Sequence, residues 1–356
     1  MSAKRKFPLS AASALFCLVV IFIHIISPAI TGADRSTVAY AAALSLWRLS
    51  AFVVQGFILL AGAKFGLKLK YGCLDLRKYY LSRAKRILVP YIIWVTVYYL
   101  GFWLQRYYEF SFFDLLRYML VGDLAAHFYF VVTVLQFYAL APVWKAMASR
   151  LHAAVALPAA AFISLISAQY LPDLLALAGI SNFAWSDRVF ATYLVWWVAG
   201  LYIGRDWEAF AKSLERSRAI LAAATLLFGL LDARIAYDMW VHGRWHAFAE
   251  PVHMLYSGCA VMLVLLLGTL LPEKSTVAAV LSEIDRSGYG IYLSHVLVLS
   301  ATGAALDYFG ITRLAYRIII SAAATYSVSL GANIGYRKLM AFIRAKIRPA
   351  EARTKS

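Results

Sequence analysis

The sequence predicts an all-α integral membrane protein of about ten transmembrane helices with both termini cytoplasmic, and three observations carry that prediction. Of 356 residues, 63% are hydrophobic and only 15% charged, against about 25% charged in ordinary soluble domains. The apolar residues gather into runs at about 8–30, 41–63, 87–105, 126–145, 152–171, 189–204, 219–236, 252–272, 287–303 and 314–335. Most approach the roughly 20 residues a helix needs to cross a bilayer, and none alternates with the period of two that a barrel requires. Third, Lys and Arg are shared unequally between alternate connecting segments.

Taken in order, Lys4-Arg5-Lys6 leads into a first run too long for a secretory h-region, so it reads as a retained helix. The longest polar stretch follows the second run, at 64–86. After the third run, Gln105 to Ala126 carries Phe112-Phe113-Asp114 and reads as a segment along the interface. Smaller polar loops lie near 205–218 and 273–287, and a basic tail occupies 337–356. With the N-terminus inside, the inner segments hold 26 of the 35 basic residues and eight of the 18 acidic ones. The inner face is then +18 and the remainder −1, which accounts for the net +17. This is the positive-inside pattern, so the charge reports topology and contact with anionic lipid rather than a nucleic-acid partner. Cys17, Cys73 and Cys259 are too few and too scattered for a disulfide framework. With no internal repeat or linker, 1–356 reads as a single membrane domain of a multi-pass cell-membrane protein.

Polar side chains within apolar helices are costly and mark function by default. His24, in Phe22-Ile23-His24-Ile25, lies about sixteen residues, or some 24 Å, beyond the inner end of its run. Its imidazole suits proton transfer from a hydroxyl near neutral pH, or a packing hydrogen bond. Arg83 and Arg86, three apart, share a face on a regular helix, fit either to grip the phosphates of a nucleotide donor or to anchor the inner end. Arg48 and Gln55 are seven residues apart, about two turns, and face one way. Arg48 either snorkels outward or orients a substrate or His24. The outer loop after the seventh run holds Asp232, Arg234, Tyr237, Asp238, Trp240, His242, Trp245, His246, Glu250 and His253. These suit a sugar, through stacking rings and carboxylates, or an interfacial aromatic belt. No spacing among them supports a metal. His295, mid-run, is a second active-site histidine or a helix-packing donor.

Several segments together resemble membrane acyltransferase family 3. Phe52-Val53-Val54-Gln55-Gly56-Phe57-Ile58-Leu59-Leu60-Ala61-Gly62 is similar to its "FFxxSG" helix, and Arg83 through Trp94 to its "RxxRxxxPYxxW" segment. His127 through Tyr138 resembles its "WFlxxllqfY" helix, and Gly290-Ile291-Tyr292-Leu293-Ser294-His295 its "GIYLxH" element. The resemblance implies ten helices and transfer of an acyl group, commonly acetyl from acetyl-CoA, to a hydroxyl of a surface glycan. It also implies His24 as catalytic base or acyl relay and Arg83 and Arg86 as the donor-binding pair. No bound cofactor is expected; acyl-CoA is the donor substrate, and polysaccharide synthesis or export proteins are candidate partners. Arg48 or Gln55 would steady the developing oxyanion, with Asp232, Trp245 and His295 facing the acceptor. Two positions depart from the family: Ser13 stands where a basic residue is usual, eleven before His24, and Ala61 stands where Ser is usual. A glycan or lipid-linked-sugar transporter is the alternative reading.

Overall fold

The structure, a computed structural model, describes residues 7–32, 34–72, 74–244, 246 and 250–353. Lys4, Arg5, Lys6, Cys73, Trp245 and the last three residues of the basic tail lie outside them. The described residues are helical throughout: α1 (Phe7–Gly32), α2 (Val38–Ser50), α3 (Val53–Lys70), α4 (Leu76–Arg83), α5 (Val89–Leu104), α6 (Phe112–Val121), α7 (Phe128–Ala139) and α8 (Ala141–Arg150) come first. Then follow α9 (Ala153–Leu177), α10 (Leu194–Arg205), α11 (Trp207–Arg216), α12 (Arg218–His242), α13 (Pro251–Leu270), α14 (Thr276–Tyr308) and α15 (Leu314–Arg353). Among the described residues, eight helical stretches are long and apolar enough to cross a membrane, or nine if α7 and α8, bent by 56°, form one span. The chain is a multi-pass membrane protein.

The sixth expected span, 189–204, is not one long helix. It becomes two 3-10 turns, Ser186–Arg188 and Phe190–Tyr193, followed by the twelve-residue α10, which at about 1.5 Å per residue reaches roughly 18 Å. The polar stretches are also more helical than expected. The 64–86 loop shrinks to the turn between α3 and α4, α14 begins inside the 273–287 loop, and α15 continues to Arg353 through most of the tail. Side-chain caps set several starts: Asp75 Oδ1 accepts from Lys78 N (3.1 Å), and Ser275 Oγ from Ala278 N (3.1 Å). In the interfacial segment, Ser111 caps α6, whose Phe112, Phe113 and Leu120 are exposed.

Two compact units divide the chain: Met1–Ala43 with Leu270–Ser356, and Leu44–Thr269. In the first, α1, α14 and α15 pack on one another. Small residues allow it, since Ala11, Ala12 and Ala14 are fully buried. A seam of positions seven apart on α1 meets α14: the Ser10 hydroxyl bonds Asp285, Cys17 Sγ lies 3.8 Å from the Gly288 carbonyl, and His24 follows. The Tyr326 hydroxyl on α15 donates to the Leu18 carbonyl at 2.7 Å.

The second unit is organised by α3 against α10. Gly62 and Gly66 on one face Gly200 and Gly204 on the other in reciprocal Gly-x-x-x-Gly packing. A Cβ at Gly62 would sit 2.3 Å from the Trp197 carbonyl oxygen, and one at Gly200 2.0 Å from that of Leu59. Beside the crossing, Phe137 stacks on Trp197 (4.8 Å, 11°), with Phe65, Tyr138 and Trp144 around them. α9 covers α10, and Ser164 Oγ on it accepts from Val195 N at 3.0 Å.

Candidate functional site

In the first unit, α1 and α14 bring the two predicted intramembrane histidines together. The rings of His24 and His295 stand 5.0 Å apart, tilted by 54°. His24 is half-buried and His295 fully buried. His295 Nδ1 lies 2.6 Å from the Tyr292 carbonyl. A carbonyl only accepts, so Nδ1 carries the hydrogen and the neutral ring keeps Nε2 as its basic nitrogen. The motif glycine also gains a reason. A Cβ at Gly290 would meet Asn333 Oδ1 at 2.3 Å; without one, the Asn333 amide reaches Ser294 Oγ at 2.9 Å, next to His295. Ser13 lies on α1, three residues beyond the Ser10–Asp285 contact.

The second unit holds a separate buried cluster. Arg48, Asp232 and His253 are all 0% exposed. Asp232 is shared: Oδ1 accepts from Arg48 Nε at 2.7 Å, and Oδ2 lies 2.7 Å from His253 Nδ1. Arg48 Nη1 donates to the His246 carbonyl at 3.0 Å, and Nη2 lies 3.7 Å from Glu250. Asp232 is thus no loop residue: it and Arg234 fall inside the run 219–236, and α12 continues six residues past that run to take in Tyr237, Asp238, Trp240 and His242 as well. Nearer its end, Asp238 faces His242 at 2.8 Å and His246 at 3.3 Å. Among the described residues no group of three or more His, Cys, Asp or Glu has the arrangement of a metal site.

Arg48 and Gln55 are separated by a break at Ala51–Phe52, where α2 ends and α3 begins. Gln55 is buried, and with its amide nitrogen toward the break it donates to the Ala51 and Phe52 carbonyls at 2.9 and 3.2 Å. It therefore adds a side-chain bond across the break, to carbonyls that also accept from Val54 N and Gly56 N.

Arg83 and Arg86 do not share a face. Between α4 and α5 the chain makes a π-turn, Ala84–Leu88, whose i→i+5 bonding widens the helix. Pro90 supplies the cause, because its ring conflicts with the carbonyl four residues earlier in a regular helix. Arg83 is half-buried, its guanidinium over Tyr79 (5.0 Å) and Tyr138 (4.7 Å), whereas Arg86 is exposed. Lys68 Nζ stands 5.1 Å from the Tyr79 ring as well.

One organising residue has only a weak sequence signal. Gln136, inside the quoted helix, donates from Nε2 to the Arg188 carbonyl (2.7 Å) and accepts at Oε1 from Phe190 N (3.1 Å), pinning the 3-10 turns to α7. In those turns burial raises the Asp187 carboxyl above its ordinary range, against the opposing pull of Arg188. A polar residue within an apolar run was the available clue.

A family model described as an acyltransferase domain matches residues 11–332, which include both clusters and the π-turn. No curated protein and no solved structure matches the chain.

Proposed function

The chain belongs to acyltransferase family 3, and from that membership we propose that it moves an acyl group, acetyl in the first instance, from cytoplasmic acyl-CoA to a hydroxyl of a surface or extracellular glycan. The acyltransferase class and the membrane setting come with the family. The observation that supports the rest is the His24–His295 pair, two imidazoles 5.0 Å apart in an apolar helix bundle.

An acyl transfer needs a group that takes a proton from the acceptor hydroxyl while its oxygen attacks the thioester carbonyl. We assign that to His24. As the C–S bond breaks, the CoA thiolate leaves and the proton returns to it. In the relay version, a His24 nitrogen attacks the carbonyl first and the C–S bond breaks, CoA leaving as its thiol with the imidazole's proton; the acceptor hydroxyl then attacks the acyl-imidazole, and as the C–N bond breaks its proton returns to His24. His295, fixed in one tautomer by the Tyr292 carbonyl, is the orienting partner, as the third group of a nucleophile–base pair commonly is.

Arg83 and Arg86 are the proposed donor cations. Arg83 has its guanidinium plane fixed over two tyrosines, while Arg86 is free to swing onto a phosphate. The Lys and Arg distribution supports a cytoplasmic position for both, and a surface-glycan acceptor would go with residence in the cell membrane. For Arg48 and Asp232 the buried geometry supports holding α2, α12 and α13 rather than meeting the substrate. Gln55, turned to the helix break, has a similar holding part.

The product tests the function. Cells expressing the protein and fed labelled acetate are expected to carry label on surface glycan in a linkage cleaved by mild alkali and by hydroxylamine, and cells without it are not. Equal ester label in both would refute glycan O-acylation. A carrier would change the amount of surface glycan without adding an ester.

A further inference from the structure

Between α9 and α10 the chain is not a regular helix. α10 covers about 18 Å, so of a hydrocarbon core roughly 30 Å thick the rest is left to the 3-10 turns Ser186–Arg188 and Phe190–Tyr193. Lys145 and Arg150 precede α9, while Arg205, Lys212, Arg216 and Arg218 lie at and beyond the far end of α10. That distribution supports an outer position for the turns. Non-helical backbone at membrane depth is tolerated only where protein satisfies it or where it lines a polar site.

Side chains hold these turns. Besides the two Gln136 bonds, Thr133 Oγ1 donates to the Arg188 carbonyl at 3.2 Å, and Arg188 Nη1 donates to the Val121 carbonyl at 3.1 Å. Thr192 Oγ1 donates to the Ser186 carbonyl at 3.0 Å, and Ser167 Oγ stands 3.0 Å from Thr192 Oγ1. A segment fixed in this way loses little freedom on binding. Two of its side chains reach solvent. Asp187 keeps 53% of its side chain exposed, with Oδ1 3.4 Å from Arg188 Nε. Trp185 is 38% exposed, at right angles to Phe183 with ring centres 5.8 Å apart. One turn joins the two, closed by Arg188 N donating to the Trp185 carbonyl at 3.0 Å. The hydroxyls of Tyr129 on α7 and Tyr193 pair with each other, with the Asp187 charge beside both. A tryptophan that serves lipid alone needs only its amphipathic ring; this one has a carboxylate and two hydroxyls for company. A sugar offers the matching pair of surfaces, a C–H face for the ring and hydroxyls for the polar groups.

We propose that Trp185, Asp187, Tyr129 and Tyr193 form a recognition subsite for the acceptor, gripping one uncharged sugar unit of the glycan. The indole stacks on the sugar face, the carboxylate accepts from its hydroxyls, and the tyrosines exchange hydrogen bonds with them. An acidic sugar is disfavoured here, because its carboxylate would meet that of Asp187. The esterified hydroxyl lies elsewhere on the same glycan. The proposal rests on the glycan reading above and adds to it which residues select the acceptor.

The probe is the surface polysaccharide of cells expressing the protein, released and stripped of esters with mild alkali. Ester formation on it from acetyl-CoA is measured with purified full-length wild type, Trp185→Ala, Trp185→Phe and Asp187→Asn. Trp103→Ala, which removes an exposed ring at the end of α5, is the control for an interfacial aromatic. Trp185→Ala and Asp187→Asn are each expected to raise the KM for polysaccharide about five- to tenfold and to leave the KM for acetyl-CoA unchanged. Trp185→Phe, which keeps a ring to stack, is expected to stay within about twofold of wild type, and Trp103→Ala to match it. A polysaccharide KM unchanged in Trp185→Ala and Asp187→Asn overturns the subsite alone and returns Trp185 to the aromatic belt. So does an equal rise in both KM values, or a rise as large in Trp103→Ala, since either reports a general disturbance. Wild-type protein that esterifies no polysaccharide, in cells or purified, overturns the glycan reading and the subsite with it.

Discussion

Replacing Gly200 with Ala tests the packing that organises the second unit. The new Cβ would lie 2.0 Å from the Leu59 carbonyl oxygen and 2.8 Å from its carbon, whereas ordinary contact begins near 3.4 Å. The backbones of α3 and α10 must therefore part by about 1.4 Å along that line. No rotamer can absorb this, because both partners are main chain. Overpacking a core costs about 1–3 kcal/mol, and rigid partners place Gly200→Ala near the top of that range, about 3 kcal/mol. Gly62→Ala, with its Cβ 2.3 Å from the Trp197 oxygen, costs a similar amount. The two are not additive: once one methyl has separated the helices, the second finds room, so the double variant costs nearer 4 than 6 kcal/mol. Thermal unfolding in detergent micelles checks this, with a fall in Tm of about 4 °C for each single variant. Gly101→Ala is the control, since a Cβ there meets nothing within 4 Å; it is expected to be neutral or stabilising by about 0.4–1 kcal/mol. Gly200→Ala melting with wild type, or Gly101→Ala falling equally, would refute the reasoning.

The buried cluster gives a prediction of opposite form. Asp232→Ala leaves the Arg48 guanidinium buried without its carboxylate and is expected to cost about 3–5 kcal/mol, while Arg48→Met/Asp232→Leu recovers most of it; the yield and Tm of monodisperse protein report both, and a double variant no better than the single would contradict the assignment. Gln136→Ala strips the partners from the Arg188 carbonyl and Phe190 N–H and is expected to cost about 1–3 kcal/mol. Limited proteolysis should then cut faster within 186–193, and an unchanged cleavage rate would argue against the pinning.

The all-helical membrane class was legible from hydropathy alone, because the bilayer leaves few other solutions. The exceptions have local causes. Run 189–204 is as apolar as a span, but its glycines commit it to a close crossing with α3, and protein contacts satisfy the apolar side chains that lipid would otherwise cover. Periodicity put Arg83 and Arg86 on one face, yet Pro90 widens the turn between them, and the Pro was visible in the sequence. His24 and His295 stood out as imidazoles in apolar runs, but their contact joins positions 271 residues apart, which no local pattern reveals. The Arg48–Asp232 pair is similar, at a separation of 184.

The most direct test of the histidine chemistry is CoA release from acetyl-CoA by the purified protein and by His24→Ala, with donor affinity measured on the same preparations. His24→Ala is expected to bind acetyl-CoA as wild type does and to release CoA at least about a hundredfold more slowly. A His24→Ala protein that binds donor and releases CoA at the wild-type rate would contradict it.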